Sequence, residues 1–223
     1  MMAPVHGLIF DMDGTMIDSM PYHAQSWVAF ARNHGLTIEV AELLRRTTGR
    51  TGAECMELLF NRRMEPRECW ALIHQKEEIY RALFAPVFTE VPGFKAFFGH
   101  AHSRGLRLGV GTAGDKHNIA FAMQHLKMDP LPHAMVGGDE GLPGKPEPAI
   151  FLEAARRIGA DPNACIVFED APFGIEAARR AGMRAVAVCT SHRADELTGD
   201  HVIAHIASYH DLITTHFLET LHA

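Results

Sequence analysis

Two carboxylates lie two positions apart in the segment Asp11-Met12-Asp13-Gly14-Thr15, which directly follows the short apolar run Val5–Phe10. Residues i and i+2 that leave a strand point to the same side, so the two acids are expected to lie close together. Carboxylates at short range repel unless a cation lies between them or one of them binds a proton. The segment therefore predicts a cation site, acid–base chemistry, or both.

Other polar groups follow three later apolar runs. They are Thr112-Ala113-Gly114-Asp115 after the second run, Gly137–Glu140 leading to Gly144-Lys145-Pro146 after the third, and Glu169-Asp170 after the fourth. In a parallel α/β sheet, ligands gather at the carboxyl ends of the strands. Four acids with one lysine at such an edge indicate a hard divalent cation, and Mg²⁺ fits because it takes a few carboxylates, waters and substrate phosphate.

The chemistry that these residue types allow is phosphoryl transfer. One carboxylate could attack phosphorus and form an acyl phosphate, and a second could protonate the leaving oxygen and later deprotonate a water. Thr112, Lys145 and loop amides would hold the equatorial oxygens, where charge develops.

Each of these elements also has an ordinary structural explanation when taken alone. Asp13-Gly14 is a common turn pair, and Asp170 resembles a helix N-cap. Lys145 would pass for a surface lysine, and Thr112 for a satisfied hydroxyl at a strand end. Their occurrence together, each at the same end of its strand, favours the catalytic interpretation.

The elements that would position these groups form an α/β pattern. Short apolar runs bounded by turn residues are typical of buried parallel strands; they are Val5–Phe10, Leu106–Gly111, Ala134–Val136, Ile166–Phe168 and Ala185–Val188. Helical spacing lies between the later runs, over 117–126, 149–158 and 173–181. The alternation predicts a doubly wound, parallel, Rossmann-like sheet, and residues 209–221 are expected to form one closing helix.

The segment between the first two strands is too long for an ordinary crossover. Its apolar positions keep a helical spacing and no strand-like run interrupts them. We therefore expect an all-helical cap domain at residues 21–91, inserted into an α/β catalytic core of residues 1–20 plus 92–223.

Composition excludes several classes of function. Lys and Arg number 21 against 27 Asp and Glu, for a net charge of −6, so the overall field does not attract nucleic acid or an anionic membrane. No run of about 20 apolar residues is present, the start lacks a signal-peptide pattern, and the four cysteines form no C-x-x-C pair. We expect a cytoplasmic protein, a monomer or weak dimer, whose partner is a small phosphorylated metabolite rather than nucleic acid or a membrane.

These motifs together resemble those of the haloacid dehalogenase superfamily, over essentially the whole chain; the matching residues are Phe10–Thr15, Thr112, Lys145-Pro146 and Glu169-Asp170. The helical insertion resembles that superfamily's first type of cap. The run Val167–Ile175 is similar to the branch that contains β-phosphoglucomutases and sugar-phosphate phosphatases. The resemblance implies a Mg²⁺-dependent phosphatase that acts on a sugar phosphate.

The resemblance also implies roles for single residues. Asp11 would be the nucleophile that becomes aspartyl-phosphate, and Asp13 the general acid and base. The Mg²⁺ ligands would be the Asp11 carboxylate, the Asp13 backbone carbonyl and Asp170, with Glu169 helping through water. Thr112, Lys145 and the Ala113 amide would bind the phosphoryl group. An acid at position 13 argues against dehalogenase activity.

The cap is expected to choose the substrate. His23 and Lys76 resemble cap residues of the mutase-like branch that reach the active site. With Gly49 as anchor, the arginine often found in that branch would fall at position 52, which is glycine here, although Arg50 could substitute. This departure favours a phosphatase over the alternative, a β-phosphoglucomutase-like phosphotransferase, which must hold a bisphosphate in two orientations. A catalytically idle sugar-phosphate sensor is a third hypothesis.

Overall fold

The centre of the protein is a six-stranded, fully parallel sheet. The computed structural model describes residues 4–47 and 50–221, and the strand order is β3-β2-β1-β4-β5-β6. The strands are β1 Gly7–Phe10, β2 Arg107–Gly111, β3 Ala134–Val136, β4 Cys165–Glu169, β5 Arg184–Val188 and β6 Val202–Ile206. The predicted doubly wound parallel sheet is confirmed. It gains an edge strand, β6, whose short run is interrupted by a histidine and was not predicted.

Alternating side chains along the central strands pack against helices on both faces of the sheet. Phe10 belongs to one apolar cluster, together with Phe94, Phe168 and Tyr209. Its neighbour Ile9 belongs to the cluster on the other side. The aromatic layer includes a Phe10–Phe168 stack with ring centroids 4.6 Å apart. Burial on both faces fixes the strand register, and so fixes which residues leave the sheet at its carboxyl edge.

Three of the core helices follow the predicted spans closely; the helix that precedes β2 was not predicted, and the tail differs. The core helices are α5 Phe94–Ser103, α6 Lys116–Leu126, α7 Ala149–Ile158, α8 Pro172–Arg180, α9 Tyr209–Thr214 and α10 Phe217–Thr220. The tail was expected to be one helix over 209–221 but forms two, because His216 between them has a left-handed backbone (φ 53°).

Between β1 and β2, four helices precede α5, with no strand among them in the described chain. They are α1 Met20–Asn33, α2 Val40–Thr47, α3 Gly52–Phe60 and α4 Pro66–Phe84, and we call them the helical insertion. They enclose an apolar cluster of their own, which contains Trp27, Phe30 and Ile73. The assignment of 21–91 as a separate domain from 1–20 plus 92–223 stays a prediction.

Two chain segments join the insertion to the sheet, and they run side by side. The Asp18 amide donates to the Thr89 carbonyl at 3.1 Å, and the Val91 amide donates to the Met16 carbonyl at 3.0 Å. Paired connections of this kind place the insertion over the end of β1. Within the described ranges, no helix has the combination of length and hydrophobicity that crossing a membrane requires.

Candidate active site

The carboxyl ends of the strands bring the predicted acids and the lysine together. Phe10 pairs with Phe168 in the neighbouring strand, so Asp11 and Glu169 leave the sheet at the same level. Lys145, from the loop after β3, donates from Nζ to Asp11 Oδ1 at 2.5 Å and to Glu169 Oε1 at 2.7 Å. Its side chain is 1% exposed, so the ordinary explanation of a surface lysine fails.

Three carboxylates form a buried cluster beside this lysine. One oxygen from each of Asp11, Glu169 and Asp170 lies within 4.8 Å of the others. Burial, opposed by Lys145 and reinforced by Glu169, raises the pKa of Asp11 to about 8. Burial, together with Glu169 and Asp11, raises the pKa of Asp170 well above its ordinary value. The cluster therefore holds more carboxyl groups than one ammonium group can keep ionised.

This cluster fits a divalent cation. Asp170 Oδ2 is buried and has no hydrogen-bond partner among the described residues, which leaves it available as a ligand. Its other oxygen accepts from the Thr15 hydroxyl at 3.4 Å. All the atoms that could bind a metal here are carboxylate oxygens, the ligand type that Mg²⁺ and similar hard cations prefer.

Two glycines leave the room that the carboxylates occupy. Gly14 has φ +78°, and a Cβ there would lie 2.2 Å from Asp170 Oδ2. A Cβ at Gly174, in α8, would lie 1.7 Å from Glu169 Oε1. Any larger residue would collide with an acid of the cluster, and a positive φ also disfavours one at position 14. The glycine after Asp13 is thus required by the cluster as well as by the turn.

Asp13 lies in a different environment from Asp11. Its Oδ1 accepts from Ser19 Oγ at 2.7 Å and from the Tyr80 hydroxyl at 3.2 Å, and it lies 3.1 Å from His23 Nε2. Burial alone would raise the pKa of Asp13, but His23 and Ser19 outweigh it and lower that pKa. The side chain of Asp13 is therefore held ionised by neighbouring donors, outside the acidic cluster.

Thr112 and Ala113, two of the predicted phosphoryl-binding residues, lie directly after β2. The buried Thr112 hydroxyl accepts from the Gly114 amide at 3.0 Å. Thr112 and Ala113 border a cavity of about 110 Å³ whose walls also include Asp11 and Asp13. The structure thus brings the predicted phosphate-binding loop and both candidate catalytic acids to one cavity.

The helical insertion supplies the opposite wall of this cavity, including His23, Lys76 and Arg50. Lys76 Nζ lies 2.7 Å from His23 Nδ1 and donates to Glu77 Oε1 at 2.9 Å. Lys76 is therefore a buried residue of the cavity wall, with its side chain 3% exposed.

Arg50 borders the cavity, but its guanidinium group is engaged elsewhere. It donates to the Arg46 carbonyl at 3.0 Å, lies 3.7 Å from Glu54 and covers the Phe173 ring at 4.9 Å. Thr48 and Gly49, the anchor of the expected arginine position, lie outside the described residues.

Sequence reasoning missed Ser19, Tyr80, Glu77 and Asn118, although all four contact the predicted site residues or one another. For Tyr80 a weak signal existed, since it follows Lys76 by four positions and so shares its helix face.

Comparison with known families decides the identity of this arrangement. The profile of the haloacid dehalogenase-like hydrolases matches residues 5–182. The chain belongs to this family. The superfamily resemblance seen in the motifs is thereby confirmed, and the acids and lysine described above lie within the matched residues.

Curated relatives of this haloacid dehalogenase-like hydrolase include sugar phosphatases and a mutase. A fructose-1-phosphate phosphatase of Escherichia coli is 33% identical over 187 residues, covering 82% of this chain and 95% of the relative. Hexitol phosphatase A of Escherichia coli is 31% identical over 182 residues, covering 82% of each. A β-phosphoglucomutase of Bacillus subtilis is 29% identical over 188 residues, covering 81% and 82%.

Solved structures confirm the fold of the hydrolase. A hydrolase from Pseudomonas syringae superposes with a TM-score of 0.84 at 23% identity, covering 96% of this chain and 98% of the other. A β-phosphoglucomutase from Clostridium difficile superposes with a TM-score of 0.83 at 24% identity, covering 97% of each chain. At these identities the likeness concerns the fold alone.

Proposed function

We propose that this chain is a Mg²⁺-dependent phosphatase that hydrolyses a small phosphomonoester, a sugar phosphate, through an aspartyl-phosphate on Asp11. The observation that carries the proposal is that Asp11 and Asp13 border one cavity in opposite environments. Asp11 belongs to the acidic cluster and contacts Lys145, whereas Asp13 lies outside the cluster and is surrounded by hydrogen-bond donors. The two roles need Asp11 ionised and Asp13 protonated, which is opposite to the directions of their pKa shifts in the protein alone. A cation in the acidic cluster would favour the ionised form of Asp11, and a phosphate anion beside Asp13 would favour its protonated form. The sugar phosphatases among the relatives support the substrate class.

The reaction then runs in two displacements at phosphorus. An oxygen of ionised Asp11 attacks, the new P–O bond forms, and the bond to the sugar oxygen breaks, while Asp13, protonated once the phosphate anion is bound beside it, donates its proton to that oxygen. Asp13, now ionised, takes a proton from a water whose oxygen attacks the same phosphorus. The bond to Asp11 breaks, phosphate leaves, and both side chains return to their starting states.

The remaining residues bind and orient the transferred group. Thr112, Lys145 and the Ala113 amide would hold phosphoryl oxygens. Mg²⁺ would be held by the Asp11 carboxylate, the Asp13 backbone carbonyl and Asp170, with Glu169 assisting through water. When bound, it neutralises charge on the phosphoryl oxygens. The helical insertion would act as a cap, with the paired segments at Asp18–Thr89 and Met16–Val91 as its connections, and its closure would exclude bulk water.

The first test is Asp11→Asn. We expect this variant to release no phosphate from a general phosphomonoester, because an amide is a poor nucleophile. Asp200→Asn, which changes an exposed aspartate far along the chain from any motif, is the matched control and should keep full activity. Borohydride added during turnover should convert Asp11 to homoserine, detectable by peptide mass. Undiminished release by Asp11→Asn would rule out the assigned nucleophile.

A second candidate is a β-phosphoglucomutase-like phosphotransferase. It is favoured by the contact of Lys76 with His23, which in turn lies against Asp13, since both residues resemble cap residues of the mutase branch. It is disfavoured by Gly52 and by the engaged guanidinium group of Arg50. Assay of β-glucose 1-phosphate with a bisphosphate activator separates the two functions, because a mutase forms glucose 6-phosphate faster than it forms free phosphate.

A further inference from the structure

The positive charge of Lys76 is cancelled within the protein by the residue next to it. Both side chains are largely buried, and Glu77 Oε1 accepts from Lys76 Nζ at 2.9 Å. The second oxygen of Glu77 accepts from Asn118 Nδ2 on the core helix α6 at 2.8 Å. The other end of that amide accepts from Arg81 Nη1 at 2.7 Å. Glu77 is therefore held from two helices, with its carboxylate at the cavity wall.

Glu77 is also held in its charged form. Burial alone would raise its pKa, but Lys76, His23 and the Asn118 amide outweigh burial and lower it. Arg50, the other described Lys or Arg residue of this wall, lies 3.7 Å from Glu54. The wall that faces the leaving group thus presents balanced pairs rather than unpaired positive charge.

A second cavity, of about 430 Å³, continues from this wall between the insertion and the core. It shares Glu77 and Asn118 with the first cavity. Its charged lining residues, among those the structure describes, are the acids Glu77, Asp115 and Asp139, and no described lysine or arginine borders it. A leaving group that extends in this direction meets carboxylates, small apolar surfaces and the indole of Trp70.

We propose that Glu77 determines the charge selectivity of the site: it makes the leaving-group side accept neutral, hydroxyl-bearing groups and disfavour a second phosphate. The inference rests on the proposed phosphatase function and names its substrate class more closely. A second phosphate would find Lys76 already neutralised and would approach further carboxylates. Carboxylate oxygens, in contrast, accept hydrogen bonds from the hydroxyls of a polyol or sugar.

The test compares fructose 1-phosphate with fructose 1,6-bisphosphate, using the full chain with Mg²⁺. The measured quantity is the ratio of kcat/KM for the bisphosphate to that for the monophosphate. Glu77→Gln removes the carboxylate that contacts Lys76 and should raise the ratio about tenfold, as one charge at a few ångströms can do in a partly solvated site. Lys76→Met leaves Glu77 uncompensated and should lower the ratio. Glu78→Gln, which changes the next residue of α4, exposed and beside His74, should leave it unchanged.

Shifts of the kcat/KM ratio in opposite directions in the two variants would identify an effect of charge. A purely structural disturbance would not reverse its direction with the sign of the charge that is removed. An unchanged ratio in Glu77→Gln, or shifts in the same direction, would overturn the inference. If Glu77→Gln does not fold, Lys76→Met alone decides, and a ratio that stays level or rises overturns it. Dissociation constants for the two compounds, measured by calorimetry in the absence of turnover, should show the same changes in preference between bisphosphate and monophosphate. A protein that binds them selectively but releases no phosphate would disprove the proposed function and leave this inference standing.

Discussion

The two walls of the active-site cavity differ in how far their charged side chains are paired with groups of opposite charge. On the core side, the ammonium group of Lys145 contacts two of the three clustered carboxylates, and one oxygen of the third, Asp170, has no hydrogen-bond partner in the described structure. On the insertion side, each lysine or arginine at the wall has a carboxylate close by, as in the pair Lys76–Glu77. The core side is thus unbalanced, and the insertion side is balanced.

The difference indicates which part of a ligand each wall would serve. Buried charge without compensation is costly, so the excess of carboxylates on the core side indicates a site that is completed by a cation and a phosphoryl group. A wall whose charges are already paired offers hydrogen bonds without net attraction for an anion. The chemistry would therefore be set by the strand ends, and the choice of leaving group by the helices.

The strongest test of the unbalanced wall is Lys145→Met. Removing one partner of a buried ion pair leaves uncompensated carboxylates, and we expect it to lower the free energy of unfolding in the absence of Mg²⁺ by about 3–5 kcal/mol. Loss of a group that stabilises the transferred phosphoryl charge should also lower kcat by roughly 10²–10³-fold. Denaturant unfolding and phosphate release measure the two effects.

The matched control is Lys116→Met, at an exposed position at the start of α6. It should change neither quantity appreciably. A Lys145→Met protein as stable and active as this control would show that the acids at the strand ends do not depend on the lysine, and the contrast between the walls would disappear.

The next effect in size concerns the metal. Saturating Mg²⁺, at about 100 times its dissociation constant, should raise the free energy of unfolding by roughly 2.7 kcal/mol. Asp170→Asn removes a charged ligand from the cluster and should abolish most of this gain, as measured by thermal unfolding with and without Mg²⁺. Asp200→Asn should keep the full gain, and an equal gain in Asp170→Asn would place the cation somewhere other than the cluster.

The strand-end residues could be predicted from sequence because short-range rules position them. Asp11 directly follows a strand, Glu169 is the last residue of one and Asp170 follows it, and parallel pairing brings such residues to one edge. The edge strand β6 and the break at His216 escaped prediction, because a histidine interrupts the apolar run of β6 and a single left-handed residue leaves little signal.

The insertion side could be predicted only in part, since its contacts depend on helix packing. Tyr80 contacts an acid 67 positions earlier in the chain, and Glu77 contacts an amide 41 positions later. In the sequence, Glu77 and Glu78 look equally solvated. Only the crossing of α4 over α6 shows that one of them faces the cavity and the other faces solvent.

The smallest expected effect tests the insertion side through Asp13. Tyr80→Phe removes one of the donors to Asp13 Oδ1 but keeps the ring that stacks on His23, with centroids 3.8 Å apart. Because Ser19 and His23 remain beside the same oxygen, kcat should fall only about three- to tenfold, which corresponds to the net contribution of one typical hydrogen bond, about 0.5–1.5 kcal/mol. The gain in stability from Mg²⁺ should not change.

Tyr22→Phe, which keeps the stack of this α1 ring on Phe84, should leave kcat unaltered. A loss as large as that of Lys145→Met would mean that the insertion takes part in the chemistry as fully as the strand ends do, and the division between the two walls would be wrong.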